Sequence, residues 1–207
     1  MSERDLNIIG VPRRRVDGRA KVTGQTVFAD DLALPRMVHC KLLRSPHPHA
    51  RILNVDASRA RAHPDVHLVL TGRDFSEKFG ILPVSQDEEA LCADVVRYVG
   101  DPVAAVIARD ELAAFDALEL IDVDYEILHT FSEPTDSLER SEPRIHDYGH
   151  RGNVHKMVSM RFGDTEAGFK EADHVFEDVF HYEGNTHLAI EQHAAVAAVD
   201  PDGKITL

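Results

Sequence analysis

Tryptophan is missing from this chain of 207 residues, and aromatic residues make up only 6% of it. That scarcity argues against a stacking platform for single-stranded nucleic acid. Positive charge is also short: 23 Lys and Arg stand against 36 Asp and Glu, a formal net charge of −13. Phosphate binding needs clustered cations, so nucleic acid is excluded as the main partner. The run Arg13-Arg14-Arg15 is read as a solvated lead-in. Cysteine is nearly absent, with Cys40 and Cys92 far apart and outside any CxxC spacing. No apolar stretch precedes them that could act as a secretory signal, so a reduced, cytoplasmic chain is expected. No run approaches the roughly 18–20 apolar residues of a membrane span, and no membrane partner is expected.

What is present suffices for a packed core, because 43% of the residues are hydrophobic. Residues 1–14 read as an irregular arm, and Asp17-Gly18 and Thr23-Gly24 as turns. Val38–Arg44 and Ala50–Val55 are expected strands. Between them, Ser45-Pro46-His47-Pro48-His49 cannot be helical, since each proline pushes its predecessor toward extended geometry. Ser58 is expected to cap a short helix ending near His63-Pro64. Val66–Leu70 is expected as a buried strand. Residues 76–94 form a long acidic connection, longer than most loops inside a compact domain.

Val95–Val99 and Val103–Ala108 are further expected strands, separated by a tight turn at Gly100-Asp101-Pro102. The strongest helix runs from its cap at Asp110 to about Ile121, with Ala114, Ala117, Leu118 and Ile121 on one face. Val123–Ile127 returns as a strand, with a parallel strand–helix–strand unit as one option. The polar, proline-bearing stretch 131–153 reads as a linker between domains. Beyond it, Asp164 caps a helix to about Ala172, and Val175–Tyr182 is expected as a strand. The last fourteen residues read as a strand, a turn at Asp200-Pro201-Asp202-Gly203 and the start of a second strand. Such a hairpin leaves an apolar face with nothing to cover it, the mark of a piece of something larger.

Three stretches carry a family likeness. They are Arg15–Gly24 with Phe28-Ala29-Asp30, Leu43–Ile52, and Val96–Ala104 running through the helix to Asp124-Tyr125-Glu126. Together they resemble the N-terminal part of the large, molybdenum-binding subunit of the xanthine dehydrogenase and aldehyde oxidase family. The resemblance implies an α+β fold: an α/β hammerhead domain over 15–130, then the beginning of a first molybdopterin-binding domain over 154–207. Phe79-Gly80-Ile81-Leu82-Pro83, the Gly100-Asp101-Pro102 bend and Gly184-Asn185-Thr186-His187 leading to Glu191 are most similar to the alpha subunit of 4-hydroxybenzoyl-CoA reductase. Carbon monoxide, nicotinate and purine hydroxylases share much of the same framework.

The resemblance further implies a molybdenum–molybdopterin cofactor in the complete subunit, and FAD and iron–sulfur clusters in partner subunits. It implies an oligomeric assembly in which this chain is inactive alone. A stand-alone, non-catalytic assembly module is the alternative from another class. The family's Gly-rich cofactor loop and catalytic glutamate have no counterpart here, so no residue is assigned as catalytic, cofactor-binding or metal-binding.

Other residues invite metal or nucleophile chemistry. His187 and Glu191 would share a helical face at i and i+4, with His193 nearby, yet HExxH order is absent and the segment can equally be extended. Packing and hydrogen bonding near a subunit or cofactor surface is the expected role of these three. His47 and His49 flank Pro48. Asp87-Glu88-Glu89 reads as a solvated loop or one facing a basic partner subunit, and Cys92 as an ordinary thiol.

Overall fold

The computed structural model describes residues 8–82, 86–140 and 142–207. They fall into two compact units, one within 36–175 and one joining 8–35 to 176–207. The larger unit carries most of the regular structure.

Its first sheet has three strands, β1 (His39–Arg44), β7 (Pro102–Ala108) and β3 (Val66–Thr71), in the order β1-β7-β3 and antiparallel throughout. The central strand is rich in alanine and valine, and Val103, Ala104, Val106 and Ala108 are fully buried. Helix α3 (Glu111–Leu118) lies against this sheet. Asp110 caps it by accepting from the Ala113 amide at 2.9 Å, which satisfies one of the helix's open donors. Ala113, Ala114, Ala117 and Leu118 form its buried face. Their small side chains bring the helix axis close to the sheet, where they pack with Val69, Ala104 and Val106. The helix ends at Leu118, three residues short of the expected Ile121. Ile121 is nevertheless buried, held by a final turn in which its amide donates to the Leu118 carbonyl.

A second sheet joins β6 (Val95–Val96), β2 (Ala50–Asp56) and β8 (Asp122–Ile127), in the order β6-β2-β8. Here the parallel return, one option left open by the sequence, does not occur. β8 leaves α3 to pair antiparallel with β2, from Ala50↔Ile127 to Asp56↔Asp122. Tyr125 and Val123 can then pack on the second core of Ala50, Ile52, Cys92, Val96 and Val103. Three other expectations also change. Val66–Leu70 is an edge strand with His67 and Leu68 exposed, because only one of its sides has a neighbour. The strand expected over Val95–Val99 stops at Val96, since Tyr98 and Val99 turn outward before the bend. Ala57, not Ser58, occupies the cap position of α2 (Ser58–Arg61), and Asp56 accepts from the Ser58 amide.

The expected turn at Gly100-Asp101-Pro102 is present. Gly100 has φ +97°, a conformation only glycine takes without strain. Its amide donates to the Ser45 carbonyl, and the Ser45 amide donates to the Asp101 carbonyl. The long acidic connection holds a short hairpin of β4 (Lys78–Phe79) and β5 (Glu88–Glu89). Pro83, part of the Phe79–Pro83 stretch, lies outside the described residues. The 131–153 stretch contains α4 (Pro134–Glu139) and a 3₁₀ turn at Gly149–Arg151.

α5 (Thr165–Glu171) belongs to the larger unit and is capped by Asp164, as its sequence predicts. The smaller unit holds α1 (Gly18–Val22) and the terminal hairpin of β9 (Ala198–Val199) and β10 (Ile205–Thr206) around Asp200–Gly203. The strand expected over Val175–Tyr182 does not form. Its backbone has no neighbouring strand among the described residues, and Phe176, Phe180 and Tyr182 are exposed.

Candidate functional site

Two of the stretches that carry the family likeness, Leu43–Ile52 and Val96–Ala104, meet at one end of the larger unit. Arg44 donates through Nη1 to the Gly100 carbonyl at 2.8 Å, and buried Ser45 is tied to the same bend. His49, 2% exposed, donates from Nδ1 to the His129 carbonyl at 2.7 Å. His129 in turn pairs with Asp136 at 2.8 Å. His47 packs edge-on to Tyr125 at 4.9 Å. These residues act as a knot that fixes the Asp101 region.

Beside the knot lies a cavity of about 440 Å³, walled by the β4–β5 hairpin, residues 92–102 and residues 146–155. Its polar centre is the contact between His146 Nδ1 and Asp87 Oδ2, 2.5 Å apart. Burial pushes the Asp87 carboxyl up, but the His146 hydrogen bond and charge, with Arg97 nearby, outweigh it and leave Asp87 below the ordinary carboxylate range. Tyr148 stacks on His146 at 5.5 Å and packs against His155 at 5.2 Å. The guanidinium of Arg97 donates through Nε to the Ile145 carbonyl at 2.7 Å, which draws the 142–155 segment onto the sheet. Asp87 Oδ1 and His155 Nε2 are buried without a hydrogen-bond partner among the described residues.

Asp87 orients the His146 ring, which can then hold or accept a proton at its other nitrogen. A nucleophile to match is not at hand. Cys92 lines the same cavity, but burial, and then its hydrogen bond to Asp101, push its thiol up to about 12. At neutral pH it is a protonated, inert group. The cavity's Asp87, Glu88, Glu89 and Asp101 outnumber its one arginine, so an anionic ligand meets net repulsion.

Residues 187, 191 and 193 occupy irregular, exposed backbone and share no helical face. Among the described residues, no three His, Cys, Asp or Glu side chains converge to hold a metal. Glu191 does line a cavity of about 580 Å³ in the smaller unit, with Lys21, Phe28, Asp30 and Asp31. Three carboxylates against one ammonium do not suit a cofactor that carries a phosphate and a dithiolene. Among the described residues this cavity therefore does not form a seat for molybdopterin, and no chemical step is derived through it. His146, Tyr148, His155 and Arg97 escape a reading of the sequence, because Asp87 and His146 are 59 positions apart and obey no motif spacing.

The two antiparallel sheets with α3 across one of them, followed by an irregular second segment, define a hammerhead domain leading into a cofactor-binding domain. Residues 23–129 match the family model described as "Aldehyde oxidase and xanthine dehydrogenase, a/b hammerhead domain". Residues 145–207 match "Molybdopterin cofactor-binding domain". The chain belongs to this aldehyde oxidase and xanthine dehydrogenase family. It is 39% identical over 203 residues to a probable xanthine dehydrogenase subunit of Bacillus subtilis (strain 168), covering 97% of this chain and 27% of that protein. It is 35% identical over 206 residues to the nicotinate dehydrogenase large molybdopterin subunit of Eubacterium barkeri, covering 99% of this chain and 47% of that protein. Among solved structures it resembles the aldehyde oxidoreductase from Desulfovibrio gigas, with a TM-score of 0.64, 29% identity, and coverage of 77% of this chain and 19% of that one. The chain thus spans between about a quarter and a half of the length of these two curated relatives.

Proposed function

We propose that the chain is the N-terminal part of a molybdenum-cofactor oxidoreductase subunit and depends on further chain and partner subunits for activity. The observation that carries this reading is the consecutive match of the hammerhead and molybdopterin-binding models along one chain. The 97–99% coverage of this chain by subunits named for xanthine and nicotinate dehydrogenases supports the same reading. In such an enzyme the cofactor supplies the redox chemistry, and the protein positions it and its substrate. FAD and iron–sulfur clusters in partner subunits, a cytoplasmic location and free thiols at Cys40 and Cys92 belong to the same reading. So do the domain limits of 15–130 and 154–207.

Two substrate readings follow. Likeness to proteins named for xanthine and nicotinate favours hydroxylation of an electron-poor heteroaromatic carbon with oxygen drawn from water. The sequence stretch Phe79–Pro83, the Gly100-Asp101-Pro102 bend and Gly184–His187 leading to Glu191 favour the 4-hydroxybenzoyl-CoA reductase type, which removes a phenolic hydroxyl reductively.

The test is purification of the tagged chain from its native host, with whatever it assembles with, followed by molybdenum and pterin analysis. Stoichiometric molybdenum is expected. Turnover of xanthine or nicotinate with a dye acceptor selects the first substrate reading. Benzoyl-CoA formation with a low-potential donor selects the second. An assembly without molybdenum, or turnover by the purified 207-residue chain alone, refutes the proposal.

A further inference from the structure

Helix α3 is built the wrong way round for stability alone. At about 100° per residue, Glu111, Phe115, Glu119, Leu112 and Asp116 share one arc of about 140°. The opposite arc is Ala113, Ala114, Ala117 and Leu118, all buried. The helix therefore hides three alanines and leaves Leu112 and Phe115 in solvent, at 71% and 51% exposure. Large apolar groups gain most from leaving water, so a helix serving only its own core would place them inward. Aromatic residues centred in a polar rim are the composition of a protein interface.

The charged side chains of the helix and its two ends are all acidic, and Lys41 of β1 reaches the same face. Between Asp110 and Glu139 the chain carries ten Asp or Glu residues and no Lys or Arg. Lys41 bridges to Glu111 at 2.9 Å and lies 5.1 Å from the Phe115 ring centroid. Asp116 and Glu119, which flank the two apolar groups, are exposed and have no ion pair among the described residues. An apolar knob with uncompensated carboxylates beside it complements an apolar pocket edged by Lys or Arg.

We propose that this face of α3 docks a partner subunit, through an apolar pocket rimmed by basic side chains that receives Phe115 and Leu112 and meets Asp116 and Glu119. The proposal rests on the reading of the chain as one subunit of an assembly, and names the surface by which it joins.

The test places a photo-crosslinker at the knob, Phe115→p-benzoylphenylalanine, in the tagged chain produced in its native host. The expected product joins the chain to a different, stoichiometric subunit, at an apolar segment flanked by Lys or Arg. With Asp116→Lys and Glu119→Lys added, its yield falls at least tenfold. Raising salt from about 0.1 M to 0.5 M lowers the unsubstituted yield several-fold, as screening of exposed charges requires. Thermal unfolding within about 2 °C of the parent shows that the charge-reversed chain remains folded. A crosslink within the same chain, to a second copy, or to a segment without basic residues overturns the proposal. So does an absent crosslink, or a yield indifferent to charge reversal. Molybdenum content is measured on the same preparations. It decides the functional reading separately, because none of these substitutions touches a cofactor seat.

Discussion

His146 Nδ1 lies 2.5 Å from Asp87 Oδ2, and that contact fastens the β4–β5 hairpin to the 142–155 segment across 59 positions of chain. Tyr148 stacked on His146 and Arg97 bound to the Ile145 carbonyl hold the second partner in place.

Replacing Asp87 by Asn removes the charge from this contact. Hydrogen exchange of residues 86–90 and 142–155 is expected to quicken, and the melting temperature to fall by a few degrees, in line with loss of about 1 kcal/mol from a partly exposed charged pair. The pH dependence has a definite sign. The folded carboxyl titrates below its unfolded value, so its contribution is complete above about pH 4 and is lost as pH falls through the lower folded value. The Asn variant and the parent should therefore converge in stability toward strongly acid pH.

Gly72 admits no side chain. A Cβ added there would fall among the backbone atoms of Cys92 and Ala93, which cannot swing aside as a flexible side chain can. Gly72→Ala is expected to cost about 1–3 kcal/mol, as overpacking a fixed site does, with unfolding midpoint in urea as the measurement. A variant as stable as the parent would show that the two backbones can separate freely.

The alanine face of α3 predicts a similar penalty from a different cause. Ala114 is fully buried against the sheet, so Ala114→Leu must push the helix away from Ala104 and Val106. A loss of about 1–3 kcal/mol is expected, whereas Ala substitution of outward Leu112 should change stability within about 0.5 kcal/mol. Chemical denaturation of the two variants side by side separates buried from exposed positions on one helix.

The two thiols should differ in reactivity. Cys40 is exposed, while Cys92 is buried and pushed up to about 12. Iodoacetamide at pH 8 is expected to add one group per folded chain, and none to Cys40→Ser. In denaturant the parent should take two. Labelling of Cys92 in the folded chain would contradict its burial.

Much of this architecture is legible in the sequence where the signal is local. Asp110 followed by alanines at helical spacing predicts α3, and Asp200-Pro201-Asp202-Gly203 between apolar residues predicts the last hairpin. Gly100-Asp101-Pro102 predicts a bend because no other residue in that stretch takes positive φ freely. Partner choice is not local. Val123 and Tyr125 alternate correctly for a strand, yet nothing in them says that β8 joins β2 instead of returning beside β7. Residues 175–182 have the pattern of a strand, but their backbone joins no ladder among the described residues, and a pattern alone makes none. The cavity is the extreme case. Asp87 reads as one acid in an acidic loop and His146 as one histidine among thirteen, and only the folded chain makes them a pair.

β8 lies at the border of its sheet, and its outward positions are Asp122, Asp124 and Glu126. Arg51 and Arg59 already pair with Glu126 and Asp122, so among the described residues Asp124 is the unpaired charge that guards this border against an incoming strand.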